Sequence, residues 1–189
     1  MKHKIKASYK NVLLRALTVE DLELMRIWRN ETQVDFLRKI DTITPEMQQE
    51  WFKRDNENIE CCTFGIEEVD ELNRLVGSVA LYNFKDKTAE CGRILIGDTA
   101  AHGRGIGYLA ILLSLYIAFE NLGFERVIAD VHEENYAAVK NNMKAGFVVC
   151  GNHMDENGLK VLEIAVERAD FYLKHDFLSE VVISGGEVK

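Results

Sequence analysis

The sequence predicts one α+β (mixed α/β) domain built on a single, mostly antiparallel twisted sheet flanked by helices. Strand-like runs at 63–69, 75–82 and 88–96 are joined by short polar turns, the pattern of an antiparallel meander. A glycine-rich loop then feeds a long apolar helix, followed by strand, helix and two more strands. The chain has 189 residues and a single proline, which suits one domain of ordinary size without Pro-rich linkers. We expect that domain over 1–177 and a loose tail over 178–189.

The elements follow in order. Val12 to Leu14 reads as a first strand. Thr18-Val19-Glu20-Asp21 reads as a helix start, with acids where the helix dipole favours them and Leu22, Met25 and Trp28 at helical spacing behind. Thr44-Pro45-Glu46 starts a second helix, a capping hydroxyl before a proline at the first helical position; Met47, Trp51 and Phe52 are expected on its buried face. After the meander, Tyr108 to Leu122 is apolar on most faces, so this helix should be buried, and Gly123 ends it. Arg126 to Val131 is a strand, Asn135 to Ala145 a helix stopped by Gly146, and 147–151 and 160–167 are strands around a Glu156-Asn157-Gly158 turn. Arg168 to His175 is a closing helix.

Bulk composition excludes several classes. The net charge is −8, and only Lys2, Lys4, Lys6 and Lys10 cluster, so a nucleic-acid partner is not expected. The acidic balance favours a cationic amine as partner, by steering. The N-terminus lacks the apolar core of a signal peptide and no long apolar run exists, so no membrane partner and a cytoplasmic location are expected. Cys61, Cys62, Cys91 and Cys150 form no C-x-x-C pair; they read as reduced, core or near-core thiols, and no metal is expected. Oligomeric state is open, with a homodimer as one option.

The chemistry-bearing segment is His102-Gly103-Arg104-Gly105-Ile106-Gly107. The first N–H groups of a helix lack internal partners and point outward at the positive end of the dipole, where they attract phosphate oxygens. Glycine lets the backbone turn tightly there. The G-x-G-x-G spacing fits neither the dinucleotide fingerprint nor the Walker loop. Alone, the triplet shows an anion site or simply a glycine-rich helix start.

The surrounding residues carry a resemblance. Thr88-Ala89-Glu90, the 102–107 loop, Asn135-Tyr136-Ala137-Ala138 and Lys144-Ala145-Gly146-Phe147, with an opening at Leu14-Arg15-Ala16-Leu17-Thr18-Val19-Glu20-Asp21, resemble the GNAT (Gcn5-related) N-acetyltransferase superfamily, particularly its RimJ/RimL-like branch. The resemblance implies a splayed strand pair and acetyl-CoA as cosubstrate, its pyrophosphate on the backbone of His102, Gly103, Arg104, Gly105, Ile106 and Gly107. It implies a backbone oxyanion donor near Ile96 or Gly97, and Asn135 near the pantetheine arm. Two departures stand out. His102 replaces the usual glutamine or arginine, and its side chain is expected to do little. Asn142, grouped with the cofactor contacts, replaces a frequent acid-donating tyrosine, so no tyrosine acid is assigned.

N-acetyl transfer needs a fixed thioester, an oxyanion donor and a route for the amine's proton. Glu90 and Asp130 are the carboxylate candidates; Glu90 is the better match to the resembled branch, and each can equally be a surface or paired acid. His132 is another titratable candidate. Tyr108 and Tyr136 are possible acids, although thiolate can also leave directly. For the acceptor, Trp28-Arg29-Asn30, Val34 and the 43–52 stretch ending in Trp51-Phe52 resemble acetyltransferases of nucleotide-linked amino sugars of the pseudaminic-acid pathway type. That resemblance puts Arg29 on a phosphate and Trp51 against a ring. The early helices and the 150–160 hairpin are expected to bind the acceptor. A protein N-terminus, as in ribosomal-protein acetylation, and a polyamine are the alternatives. A non-catalytic acyl-CoA-binding module is the alternative of another class.

Overall fold

Alternation along the meander sorts the residues into two faces. Strand β3 (Cys61–Glu68) pairs antiparallel with β4 (Arg74–Lys85), setting Cys62 opposite Leu81 and Phe64 opposite Val79 on one face. Thr63 opposite Ala80 and Gly65 opposite Ser78 take the other face. Strand β5 (Thr88–Ile96) completes the meander as expected. β2 (Val12–Ala16) pairs with β3, and β6 (Arg126–His132), β7 (Val148–Met154) and β8 (Lys160–Glu167) extend the sheet on the far side.

Two strands went unread in the sequence. β1 (Lys6–Tyr9) pairs with β2, and β9 (Val182–Ser184) pairs with β1. Each is too short, at four and three residues, to show a period. β9 corrects the expected loose tail: Leu178 and Val181 are buried and Val182–Ser184 caps the sheet edge. The strand order is β7-β8-β6-β5-β4-β3-β2-β1-β9. The computed structural model describes residues 3–32 and 42–185; Val34 lies outside them.

One layer of helices covers the face of Cys62, Phe64 and Leu81. Its centre is α3 (Ile106–Tyr116), where every residue from Leu109 to Leu115 is buried. Each buried Leu or Ile there contributes roughly 1.5–3 kcal/mol of apolar transfer. The helix widens into a π turn at Ile117–Asn121, where the Leu122 N–H donates to the Ile117 carbonyl, instead of running on as α-helix to Leu122. α4 (Tyr136–Ala145) packs beside α3, and α5 (Arg168–Lys174) lies against β8.

Two helices lie over the opposite face. α1 (Leu22–Glu31) starts where Asp21 accepts the Thr18 N–H at 2.7 Å and hydroxyl at 3.2 Å, and Asp21 also accepts both Arg15 terminal nitrogens at 2.6 and 2.9 Å. α2 (Pro45–Glu57) starts at Thr44, whose hydroxyl accepts the Met47 N–H at 3.3 Å. Its faces differ from expectation. Gln48 is buried, while Met47 is exposed and Trp51 and Phe52 are half-buried, because α2 stands off the sheet over a cavity. Cys61, Cys62 and Cys91 are buried thiols, whereas Cys150 is exposed on β7.

Candidate active site

The cleft begins where two parallel strands part. β5 and β6 pair only across Thr88–Glu90 against Arg126–Ile128, although β5 runs on to Ile96 and β6 to His132. Beyond Glu90 no β5–β6 pairing occurs among the described residues. β5 also bulges there: Ala80 pairs with Gly92 but Ser78 with Leu95, and Arg93 takes a left-handed φ of 53°. A bulge leaves backbone groups outside the ladder and re-aims a side chain. Non-glycine residues in this region are costly and concentrate at functional sites.

The glycine loop lies at the cleft's α3 end. Gly103 and Gly105 have φ of 76° and 77°, and Gly105 is the N-cap of α3. A Cβ at either would meet nothing within 4 Å, so the backbone, not crowding, calls for glycine there. The turn that leads into α3 thus carries no side chain at Gly103 or Gly105, and the Cβ positions there open on free space. Ile106 is buried, so only its backbone can serve a ligand. Gly107 lies against Asn141, whose Nδ2 is 3.4 Å from a Cβ position there. Arg104 donates to the Ala100 carbonyl at 2.8 Å and to Glu71 at 2.5 Å.

His102 is not idle, contrary to expectation. Its Nε2 lies 2.8 Å from the Ile96 carbonyl, tying the end of β5 to the loop. The neighbouring oxyanion candidate, Gly97, is corrected: its N–H donates to the Val76 carbonyl at 2.9 Å. Gly97 has a packing role instead, since any Cβ there would run into the Trp28 ring. Of the asparagines, Asn135 caps α4 by accepting the Ala138 N–H at 3.1 Å. Asn142 is buried and donates to the Ala138 carbonyl at 2.9 Å, so its amide serves the helix; Asn141, which the sequence reading passed over, is the residue at the loop.

Under α1 and α2 lies a cavity of about 510 Å³, floored by Thr63, Ser78 and 93–95 of the sheet. Arg29 and Trp51, the two expected acceptor contacts, both line it. The three residues of Trp28-Arg29-Asn30 divide the work. Trp28 seats α1 on Gly97, Arg29 enters the cavity, and Asn30 pins the lead into α2, bonding the Ile43 N–H and carbonyl at 2.9 and 3.0 Å. The 150–160 hairpin is not part of the described wall.

Glu90 shares the cavity's face of the sheet, since it pairs with Tyr82 and Tyr82 lies two residues from Ala80. The wall leads to it stepwise. Arg93 lines the cavity and stacks on the Tyr82 ring at 4.2 Å, and the Tyr82 hydroxyl donates to Glu90 at 2.5 Å. Asn83 donates to the other Glu90 oxygen at 2.8 Å. Burial, reinforced by the Glu90 carboxylate, pushes the Tyr82 phenol far above its usual range, so it stays a donor. Asp130 is exposed on β6. Burial of its surroundings raises its pKa against the opposing pull of His153, and the charges of Glu90 and Glu163 add to the rise. His132 sits 3.9 Å from Asp155, away from the cavity wall. Tyr108 is covered by Lys144 at 3.9 Å, with its pKa raised by burial, while Tyr136 is exposed on α4.

A meander, a splayed strand with a bulge and a glycine loop capping the next helix form one combination, and comparison with known proteins gives it a family. The Acetyltransferase (GNAT) domain family model matches residues 11–148. The chain belongs to that family. The GNAT match spans β2 through the start of β7, and so includes both the glycine loop and the cavity. A curated relative, the N-acetyltransferase 9-like protein of Caenorhabditis briggsae, is 31% identical over 96 residues, 48% of this chain and 48% of that protein. The matched stretch thus spans about half of that relative's length. The spermidine N-acetyltransferase of Vibrio cholerae in complex with CoA and spermine superposes with a TM-score of 0.77 at 21% identity, covering 85% of this chain and 98% of that one. RimJ of Mycobacterium smegmatis in complex with CoA-disulfide gives 0.70 at 18%, covering 84% and 82%. At these identities the structural likeness shows the GNAT fold.

Proposed function

We propose that this GNAT protein is an acetyl-CoA-dependent N-acetyltransferase, which passes the acetyl group to a primary amine by direct attack in a ternary complex. The observation that carries the reading is the left-handed pair Gly103 and Gly105 at the head of α3, set beside strands that part at Glu90. The amides of a helix start suit a pyrophosphate, and the parted strands leave room for an extended thiol arm. The two structural neighbours are CoA complexes, which supports the same cosubstrate.

The steps distribute over this chain as follows. The loop 102–107 holds the pyrophosphate, and the cavity under α1 and α2 holds the amine. The amine nitrogen attacks the thioester carbonyl, and the tetrahedral oxyanion takes a backbone N–H from the bulge at 93–95, since Gly97 has spent its own. The proton leaves toward the carboxylate side of the cleft, where Glu90 stands next to the cavity wall and Asp130 lies beyond it. The C–S bond then breaks and CoA leaves as thiolate or thiol. Arg29 and Trp51 in one cavity support an acceptor with a ring and an anionic part, such as a nucleotide-linked amino sugar.

The test is release of free thiol from acetyl-CoA with a panel of a UDP-amino sugar, spermidine and N-terminal peptides. Amine-dependent release is expected from at least one. CoA binding without release from any amine would make the protein a binding module, and absence of CoA binding would reduce the glycine loop to a structural turn.

A further inference from the structure

The cavity differs in charge from the molecule around it. Among the described residues its lining includes Arg29 from α1, Arg54 from α2 and Arg93 from β5, against the carboxylate of Glu50. Cationic side chains thus outnumber anionic ones in the described lining, inside a chain of net charge −8, with Asp55 set 3.9 Å from Arg93 behind it. We infer that the acceptor amine carries an anionic group, a phosphate or a carboxylate, and that Arg29, Arg54 and Arg93 bind it. This rests on the reading of the cavity as the acceptor site.

Three elements far apart in sequence deliver these cations to one space, so one helix's surface charge does not account for them. Guanidinium presents a planar fork of donors that matches phosphate and carboxylate oxygens, and it stays charged at any working pH. Arg93 is also aimed. It sits at the bulge with φ of 53°, is stacked on Tyr82, and is 3.9 Å from Asp55. Asp55 accepts the Thr63 hydroxyl at 3.0 Å and the Cys61 thiol at 3.3 Å, and Arg93 Nη1 meets Asp55 at 3.9 Å and the Cys61 sulfur at 4.0 Å, contacts long enough for a ligand anion to compete with them. A polyamine brings only positive charge to this wall and meets repulsion that a neutral or anionic acceptor does not.

An anionic acceptor runs against the expectation, drawn from net charge, of a cationic one. Net charge describes the exterior, which ions screen over about 8 Å at physiological salt. Selection happens against the wall.

Two matched pairs test this by calorimetry on the CoA-loaded protein: glucosamine 1-phosphate against glucosamine, and 6-aminohexanoate against 1,6-diaminohexane. The anionic member of at least one pair should bind about tenfold tighter or better, the low end for a charge-assisted hydrogen bond. The pair that discriminates tells phosphate from carboxylate. Arg54→Gln, on the exposed side of α2, should remove most of the difference without moving the melting temperature, and Arg54→Lys should restore part of it. Tighter or equal binding of the cationic or neutral member in both pairs, no binding by either anionic member, or full discrimination in Arg54→Gln would overturn the inference. Thiol release with the same amines keeps the two claims apart. Fastest release with 1,6-diaminohexane or spermidine would overturn the anion site and leave the acetyltransferase standing. Discriminating binding without release from any amine would do the reverse.

Discussion

The two ends of the cleft offer different means of recognition. At the α3 end the chain offers backbone: amides of a helix start, two left-handed glycines, and open space where side chains would stand. At the α1–α2 end it offers side chains: Arg29, Trp51, Arg54 and Arg93 around a cavity. A backbone site accepts one invariant chemical group and tolerates much sequence change around it. A side-chain site is redrawn by a few substitutions, so one fold can keep its cosubstrate while its acceptor varies. The strand that separates them, β5, serves both, with its bulge facing the cavity and its end tied by His102 to the loop.

Four substitutions sharpen that contrast, taken from the largest effect to the smallest. Glu90→Gln keeps the shape and the Tyr82 contact but removes a carboxylate from the acceptor side. Turnover should fall about 10²-fold or more while the CoA dissociation constant stays within twofold, the signature of lost proton handling. Equal turnover in steady-state assays would pass the role to Asp130. Gly97→Ala places a methyl against Trp28 and must push α1 off β5. Urea unfolding should show a loss of about 2–3 kcal/mol, as overpacking does, with a raised acceptor KM and little change in CoA binding. A variant as stable as the parent would mean that α1 is not seated on Gly97.

Asp21→Asn tests the anchor at the start of α1. Burial raises the Asp21 pKa, but the hydrogen bonds from Arg15 and Thr18 outweigh it and hold it below the ordinary value. A depressed carboxylate contributes stability above its unfolded pKa and loses it as pH falls through the folded value. The substitution should cost about 1–3 kcal/mol at pH 7, and that difference from the parent should shrink below about pH 4. A pH-independent difference would point to packing instead of charge. His102→Ala should be mildest, a few-fold in CoA affinity, because it frees one exposed hydrogen bond to the Ile96 carbonyl. No change in CoA titrations would leave that bond without a positioning role.

The same division explains what could be read in advance. The meander, the α3 loop and the cap at Thr44 rest on local rules of turn, period and N-cap, and each stands in the fold where the sequence put it; Thr18 instead leads a 3-10 turn over Val19–Asp21, and α1 begins only behind Asp21. β1 and β9 rest on pairing between the two ends of the chain, and nothing in four and three residues announces it. At the site, the glycines were legible because a left-handed turn demands a residue type. Arg54 and Arg93 were not, because an arginine on a helix or strand looks the same whether it faces water or a cavity. Gly97 and Asn142 went astray for a related reason: a motif gives a position, and only packing shows that Gly97 receives Trp28 and Asn142 folds back on its helix. Arg29 and Trp51, 22 positions apart in sequence, do meet in one cavity.

The most direct measurement is a calorimetric titration of CoA into the parent and into Gly105→Glu. Position 105 has a left-handed φ, and a Cβ there would meet nothing within 4 Å, so the glutamate side chain starts in open space and brings a negative charge to the proposed pyrophosphate site, beside some backbone strain. The parent should bind CoA and the variant should lose binding by about 100-fold or more while its far-UV spectrum stays that of the parent. Equal CoA binding by the two proteins would contradict the assignment of the glycine loop, and with it the placement of the cosubstrate on which the proposed reaction depends.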